Sequence, residues 1–174
     1  MQCCRVMSTY RERDPLTEHI LREHAGVLAC INRVARGDAP ARELGGGRQI
    51  LQALAAAETG VLYPAFGRVS LRLETERLLE DSRDNRARQL ETLDALVHKR
   101  SPRLRRLKAV ELADQIQHHG TQLSTLLIPV LRSQLPRTLY GALANAFSAR
   151  YLGELPDGPV RERTVVAGSL RPSA

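Results

Sequence analysis

The segment QILQALAAAETGVLYP, residues 49–64, predicts an amphipathic helix that carries a carboxylate on its apolar face. Its apolar side chains recur at steps of three and four, which places them on one side of a helix together with Glu58. A buried carboxylate is costly unless a cation, a histidine or a metal ion lies beside it. The rest of the chain must therefore provide a partner for Glu58.

The composition indicates one all-α domain. The chain has 174 residues, which is enough for a single domain with a sizeable core. It is 43% hydrophobic but only 3% aromatic, so the core must consist mainly of aliphatic side chains, which suits helices better than a β-sandwich. Three cysteines do not form the pattern of a disulfide framework.

The formal net charge of +7 would suit nucleic acid or an acidic partner. However, only HKRSPRLRRLK, residues 98–108, is a dense basic run, and it has no interleaved aromatic residues on which bases could stack. We interpret it as a solvated loop between helices and expect no binding of nucleic acid.

We also expect a cytoplasmic protein without membrane association. The first residues lack the apolar core of a signal peptide, and no stretch reaches the ~18 apolar residues of a membrane span. The sequence leaves open whether Met1 or Met7 is the natural start.

Four long segments show helical periodicity, and none shows a sustained alternation of period two. The predicted helices cover residues 14–36, 48–69, 71–99 and 105–135, and a shorter one covers residues 137–152. We expect residues 37–47 to break the chain and Pro64 to bend or interrupt the second helix. The prediction is an antiparallel four-helix bundle over residues 14–152 with a short extra C-terminal helix. Residues 1–13 are predicted to be flexible and residues 153–174 to be a disordered tail.

Each predicted long helix has a polar interruption near the middle of its apolar stripe. The four interruptions are His24, Glu58, one of Arg83 and Arg86, and His119. A single histidine on an apolar face is ordinarily a hydrogen-bonded core residue. Polar groups that four helices present at matching depth are instead typical of the metal and cofactor sites of bundles.

Three segments carry a resemblance to a known family. They are LREHAGVL at residues 21–28, AAAETGVLYPAF at residues 55–66 and QHHGTQLSTLLIPVL at residues 117–131. They resemble the helices of the hemerythrin-like, or HHE cation-binding, family, whose bundle holds a non-haem di-iron centre. The resemblance covers residues 14–135, and the VLYP and LLIP sequences fix its register.

The resemblance assigns ligand positions one by one. The family has a histidine on the first and third helices, a His-x-x-x-Glu pair before Tyr/Phe-Pro on the second, and a His-x-x-x-Glu/Asp pair before Pro on the fourth. The positions that match are His24, Glu58 and His119. Leu54 and Leu123 replace the other members of the two pairs, and the third-helix histidine falls near Arg83. The resemblance thus implies a bundle whose di-iron site has degenerated.

Two hypotheses follow for what remains. In the first, Arg83 or Arg86 pairs with Glu58 in place of a metal, no cofactor is bound, and the protein is a binding, regulatory or structural module for an unknown protein partner or a second copy.

In the alternative, His24, Glu58 and His119 hold one iron or zinc ion, since two imidazoles and one carboxylate are the ligands of mononuclear non-haem iron sites. Such a site would sense or react with oxygen, nitric oxide or peroxide. The protein would be an enzyme only in this second case.

Overall fold

The computed structural model describes residues 14–38, 40, 44–99 and 101–156, and helices are the only regular secondary structure in this part of the chain, as predicted. The α-helices are α1 Pro15–Arg36, α2 Leu44–Ala57, α3 Tyr63–Phe66, α4 Leu73–His98, α5 Pro102–Gln122, α6 Ile128–Gln134 and α7 Arg137–Glu154. A π-helical segment, Glu58–Leu62, joins α2 to α3, and a second one, Leu123–Leu127, joins α5 to α6. Among the described helices, none is both long and apolar enough to cross a membrane.

Helix α1 begins and ends where its sequence signals place it. The side chain of Asp14 accepts a hydrogen bond from the backbone N–H of Leu16, and Pro15 occupies the first helical position. Gly37 ends the helix in the left-handed region with φ of 84°, a conformation that glycine adopts without steric cost.

Helix α2 begins earlier than predicted, because its first turns include the glycine run that we expected to break the chain. Leu44 is buried at the start of the helix, and a Cβ built on Gly47 would touch Sγ of Cys30 at 3.7 Å. The helix therefore approaches α1 closely at Gly47. Packing against α1 stabilises these turns in spite of the low helix propensity of glycine.

The two π segments explain how long helices accommodate internal prolines. Pro64 lacks an N–H, and just before it the backbone N–H of Tyr63 donates to the carbonyl of Glu58, five residues earlier. The same arrangement precedes Pro129, where the N–H of Ile128 donates to the carbonyl of Leu123. In both places one residue separates the π segment from the proline. The expected interruption at Pro64 is thus a local widening of the helix.

Helix α5 also begins earlier than predicted. The hydroxyl of Ser101 accepts from the backbone N–H of Leu104 at 3.5 Å, and Pro102 occupies the first helical position. Most of the basic run of residues 98–108 therefore belongs to the first turns of a helix, and our interpretation of it as a loop was wrong.

The core consists of two apolar clusters. The first includes Leu16, Ile20, Leu54, Leu79, Leu123 and Phe147, and the second includes Val27, Ile31, Leu51, Leu93, Leu112 and Ile116. Each of α1, α4 and the α5–α6 segment contributes to both clusters and carries buried polar residues between its two contributions. A polar layer therefore crosses the middle of the protein.

Helix α7 packs against the other helices. Phe147 is fully buried, and the ring of His19 on α1 contacts Phe147 and Tyr151 edge-on. The hydroxyl of Tyr151 donates to Glu23 at 2.6 Å, and that of Tyr140 donates to Asp14 at 2.7 Å. α7 extends to Glu154, two residues beyond the predicted end of this helix. The expected flexible start, residues 1–13, and the tail from residue 157 lie outside the described residues.

Replacing Phe147 with alanine tests the packing of α7. The change leaves a cavity in the first apolar cluster, so we expect the free energy of unfolding to fall by about 3–5 kcal/mol. Leu152→Ala, an exposed site on the same helix, should change it by less than about 0.5 kcal/mol. Both values come from denaturant unfolding followed by circular dichroism. Equal effects of the two changes would show that α7 does not pack as described.

Candidate functional site

Four buried polar side chains from four segments meet in the polar layer. They are His24 from α1, Glu58 from the first π segment, Arg86 from α4 and His119 from α5. His24 and Arg86 are 3% exposed, and Glu58 and His119 are 0% exposed. Water therefore does not screen the interactions among them, and each polar atom depends on a protein partner.

Arg86 and Glu58 form a two-pronged ion pair at the centre of this layer. Nε of Arg86 donates to Oε2 of Glu58 at 2.9 Å, and Nη2 donates to Oε1. Nη2 also contacts Nε2 of His24 at 3.0 Å, and Nη1 donates to Oε1 of Gln89 at 2.6 Å. Four of the five N–H groups of a guanidinium are thus engaged.

The other arginine considered from the sequence lies outside this network. The guanidinium carbon of Arg83 stands 5.3 Å from the centre of the Tyr63 ring, in the range of a cation–π contact. Arg83 is exposed, whereas Arg86 lies on the buried face of α4 between Ser82 and Gln89. Of the two arginines, the structure places Arg86 against Glu58.

Glu58 accepts further hydrogen bonds on its second oxygen. Nε2 of His119 lies 3.0 Å from Oε2, and the hydroxyl of Tyr63 donates to the same atom at 3.1 Å. The hydroxyl of Ser82 lies 3.3 Å from that of Tyr63 and 3.4 Å from Nδ1 of His119. These contacts close a ring of side chains around the carboxylate.

The sequence analysis missed Tyr63, Ser82 and Gln89 as members of this network. Tyr63 was used only as a register marker. In a π turn, however, residues five positions apart lie one above the other, which places Tyr63 over Glu58. Ser82 and Gln89 stand four residues before and three residues after Arg86, so they share its helix face. That spacing was a usable signal.

Burial and charge fix the protonation of the carboxylate. Burial alone would raise the pKa of Glu58, but the charge of Arg86 and the hydrogen bonds from His119 and Arg86 outweigh it and lower the pKa below its ordinary value. Burial, and secondly the nearby carboxylate, raise the pKa of Tyr63. Glu58 is therefore an anion and Tyr63 a neutral hydrogen-bond donor at neutral pH.

The two histidines are neutral. Burial first and Arg86 second lower the pKa of His24 to about 3. Burial also lowers the pKa of His119, although Glu58 acts in the opposite direction. A neutral His24 must accept the hydrogen bond from Arg86 on Nε2, since the guanidinium can only donate. A neutral His119 donates from Nε2 to Glu58 and leaves Nδ1 as an acceptor for Ser82.

The residues at this site do not fit a metal ion while Arg86 is in place. One potential ligand atom each from His24, Glu58 and His119 lies within 4.8 Å of the others, which suits a small ion. However, the guanidinium bonds to both oxygens of Glu58 and to Nε2 of His24. A metal ion would have to displace this permanent cation, and two cations a few ångströms apart repel each other strongly in a buried site.

The two leucines at positions where the resemblance implies ligands are part of the core. Leu54 and Leu123 are both fully buried in the first apolar cluster. They fill space with hydrocarbon at the points where the family pattern has a histidine and a carboxylate. Each therefore stabilises the fold by burial and offers no ligand atom.

The fold and the site together describe an all-helical protein whose core contains a buried network of arginine, glutamate and histidines. Comparisons of the chain with protein-family models, with curated proteins and with solved structures gave no match. The expected relationship to the hemerythrin-like family therefore depends on the residues quoted above.

The ion pair predicts strong coupling between Glu58 and Arg86. Glu58→Leu or Arg86→Leu alone leaves one buried charge without its partner, which should lower the free energy of unfolding by about 3–5 kcal/mol. The double variant should lose at least 1 kcal/mol less than the sum of the two, roughly as neighbouring charges usually do. Denaturant unfolding of all four proteins measures this.

Arg88→Leu, an exposed arginine on the same helix, provides the control and should cost less than about 0.5 kcal/mol. Additive effects of Glu58→Leu and Arg86→Leu would contradict the ion pair.

The buried neutral histidines predict a loss of stability in acid. The unfolded chain protonates its histidines near pH 6.5, whereas burial in the folded protein lowers the pKa of both His24 and His119. Below that pH the unfolded state binds more protons, so the free energy of unfolding should fall by up to about 1.4 kcal/mol per pH unit for each histidine. Glu58 adds to this effect below its ordinary pKa.

Unfolding at pH 7.5, 6.0 and 5.0 measures the slope. His24→Gln should reduce it, because this change removes one of the two buried histidines. Stability that is constant from pH 7.5 to 5.0 would show that the histidines are not held neutral.

Proposed function

We propose that the protein is a degenerate hemerythrin-like bundle in which Arg86 replaces the metal, and that it acts as a metal-independent binding, regulatory or structural module. The observation that carries the proposal is the two-pronged pair between Arg86 and Glu58. The guanidinium provides the positive charge that a carboxylate needs in the core, and it retains that charge at any ordinary pH.

The helical connections support the antiparallel four-helix part of the proposal. α1, α2 with α3, α4, and α5 with α6 are the four long segments, and each contributes side chains to the polar layer. Short connections between long helices favour antiparallel neighbours. Helix α7 then corresponds to the extra C-terminal helix expected from the sequence.

The register of the prolines supports the family relationship. Each of the two His-x-x-x-carboxylate pairs of the family retains one member here, namely Glu58 before Pro64 and His119 before Pro129. Both retained side chains point into the same buried layer and bond to each other. A bundle that loses its metal through complementary substitutions would leave this pattern.

A second candidate function is a mononuclear metal site. The observation that favours it is the closeness of potential ligand atoms from His24, Glu58 and His119, all within 4.8 Å of one another. Metal binding would require Arg86 to move away from Glu58. The two imidazoles and the carboxylate would then be available as ligands. Oxygen, nitric oxide or peroxide would be the molecules that such a site senses or reacts with.

Elemental analysis separates the two candidates. The purified, untagged protein is loaded anaerobically with Fe²⁺ and separately with Zn²⁺, and the metal retained after gel filtration is measured. We expect far less than one ion per chain. Near-stoichiometric metal that disappears in Glu58→Ala would overturn the proposal and establish the second candidate.

Removing the guanidinium should create metal binding. Arg86→Ala removes the competing cation from beside His24, Glu58 and His119, so we expect the variant to bind Zn²⁺. Zn²⁺ at 100 times its Kd should then stabilise the variant by about 2.7 kcal/mol and leave the wild type unchanged. Thermal unfolding with and without Zn²⁺ measures the difference.

Arg83→Ala is the matched control, because it removes an arginine from the same helix without touching Glu58. Stabilisation of the wild type or of Arg83→Ala by Zn²⁺ would show that Arg86 does not block the site.

A further inference from the structure

A groove lies on the surface between the segment of α2 and α3 on one side and α4 on the other. Its volume is about 430 Å³, within the range of pockets that hold small molecules. Arg86 and Tyr63, both members of the buried network, line it, so the groove reaches the network from outside. This groove plays no part in the ion pair itself.

The rest of the lining is small and largely apolar. Ala55 from α2 and Ala87 and Leu90 from α4 line it, and the short side chains of the two alanines leave the space open. A ligand whose apolar part consists of one or two rings, or of a short hydrocarbon chain, could bury that part in the groove. Burial of that surface is the main favourable contribution for a ligand of this size.

The charge of the groove is positive. Two arginines line it, Arg83 and Arg86, and none of the described residues that line it is acidic. Glu58 lies behind Arg86 with no exposure and neutralises it, so the charge of Arg83 remains for a ligand. The contact with the Tyr63 ring holds this guanidinium beside the groove.

We infer that the groove binds a small organic monocarboxylate, which names a ligand class for the metal-independent binding function proposed above and rests on it. The carboxylate pairs with the guanidinium fork of Arg83, and the apolar body lies against Ala55, Ala87 and Leu90.

The groove on the other side of α4 lacks this selectivity. It lies between α4 and α5, and Asp81, Asp114, Arg88 and His118 line it. Its two aspartates outnumber its one arginine, so it does not favour an anion. Its arginine, Arg88, provides a matched control.

Isothermal titration calorimetry with 3-phenylpropionate and 3-phenylpropan-1-ol tests the inference on the full chain in a chelating buffer. The two probes share the ring and chain and differ in the carboxylate. We expect 3-phenylpropionate to bind and the alcohol to bind at least about tenfold more weakly, since a charge-assisted pair is lost. Equal binding of both probes, or no binding of the acid, would overturn the inference.

Variants locate the site. Arg83→Gln should weaken binding of the acid about tenfold and leave that of the alcohol unchanged. Ala87→Leu should abolish binding of both probes because it fills the groove. Arg88→Gln should change nothing. Arg83, Ala87 and Arg88 are exposed, so the fold should tolerate all three changes, which circular dichroism checks. A loss of binding in Arg88→Gln instead would place the ligand in the other groove and overturn the inference.

The outcome is separable from that of the proposed function. A protein that takes up metal near stoichiometry refutes the proposed function by elemental analysis, whatever the titration gives. A protein without metal that also fails to bind 3-phenylpropionate refutes only the ligand inferred here.

Discussion

The pairing of Glu58 with Arg86 is the constraint on which the rest of the structure depends. A carboxylate with no exposure would be prohibitively costly by itself, and the same holds for a buried guanidinium. Their two-pronged contact restricts the position and rotation of α4 relative to the π segment, because a planar fork tolerates little displacement. Each apolar cluster packs on one side of this layer. The layer thus fixes which helix faces point inwards, whatever its net contribution to stability.

A guanidinium and a metal ion would satisfy the same carboxylate with different consequences. Both bring positive charge, but Arg86 brings it through hydrogen bonds with fixed directions, four of which are used. It can neither polarise a bound oxygen as a Lewis acid nor change oxidation state. His24 and His119 are accordingly held as neutral hydrogen-bonding partners. The layer is therefore well suited to holding helices together.

The sequence predicted much of the fold and part of the polar layer, for identifiable physical reasons. Periodicity revealed the helices, and capping residues such as Asp14 placed the start of α1. His24, Glu58 and His119 were each identified separately, because each is a polar residue on the apolar stripe of its own helix. The choice between Arg83 and Arg86 could not be made in this way. The buried face of α4 carries many polar residues, so the hydrophobic periodicity of its sequence does not show which face is buried. The early start of α2 was missed because the burial of Leu44 and the close approach of Gly47 to α1 stabilise these turns, which local propensity does not register.

The two π segments have a consequence for how this chain can vary in length. A π turn contains one residue more than the α-helical turn it replaces, so Glu58–Leu62 and Leu123–Leu127 behave as inserted residues. One widened turn accommodates the extra residue, so the helix beyond it keeps its face, whereas an extra residue in an unbroken α-helix would rotate everything beyond it by about 100°. These two turns are therefore points at which the chain can gain or lose one residue while the buried faces on either side still point into the polar layer.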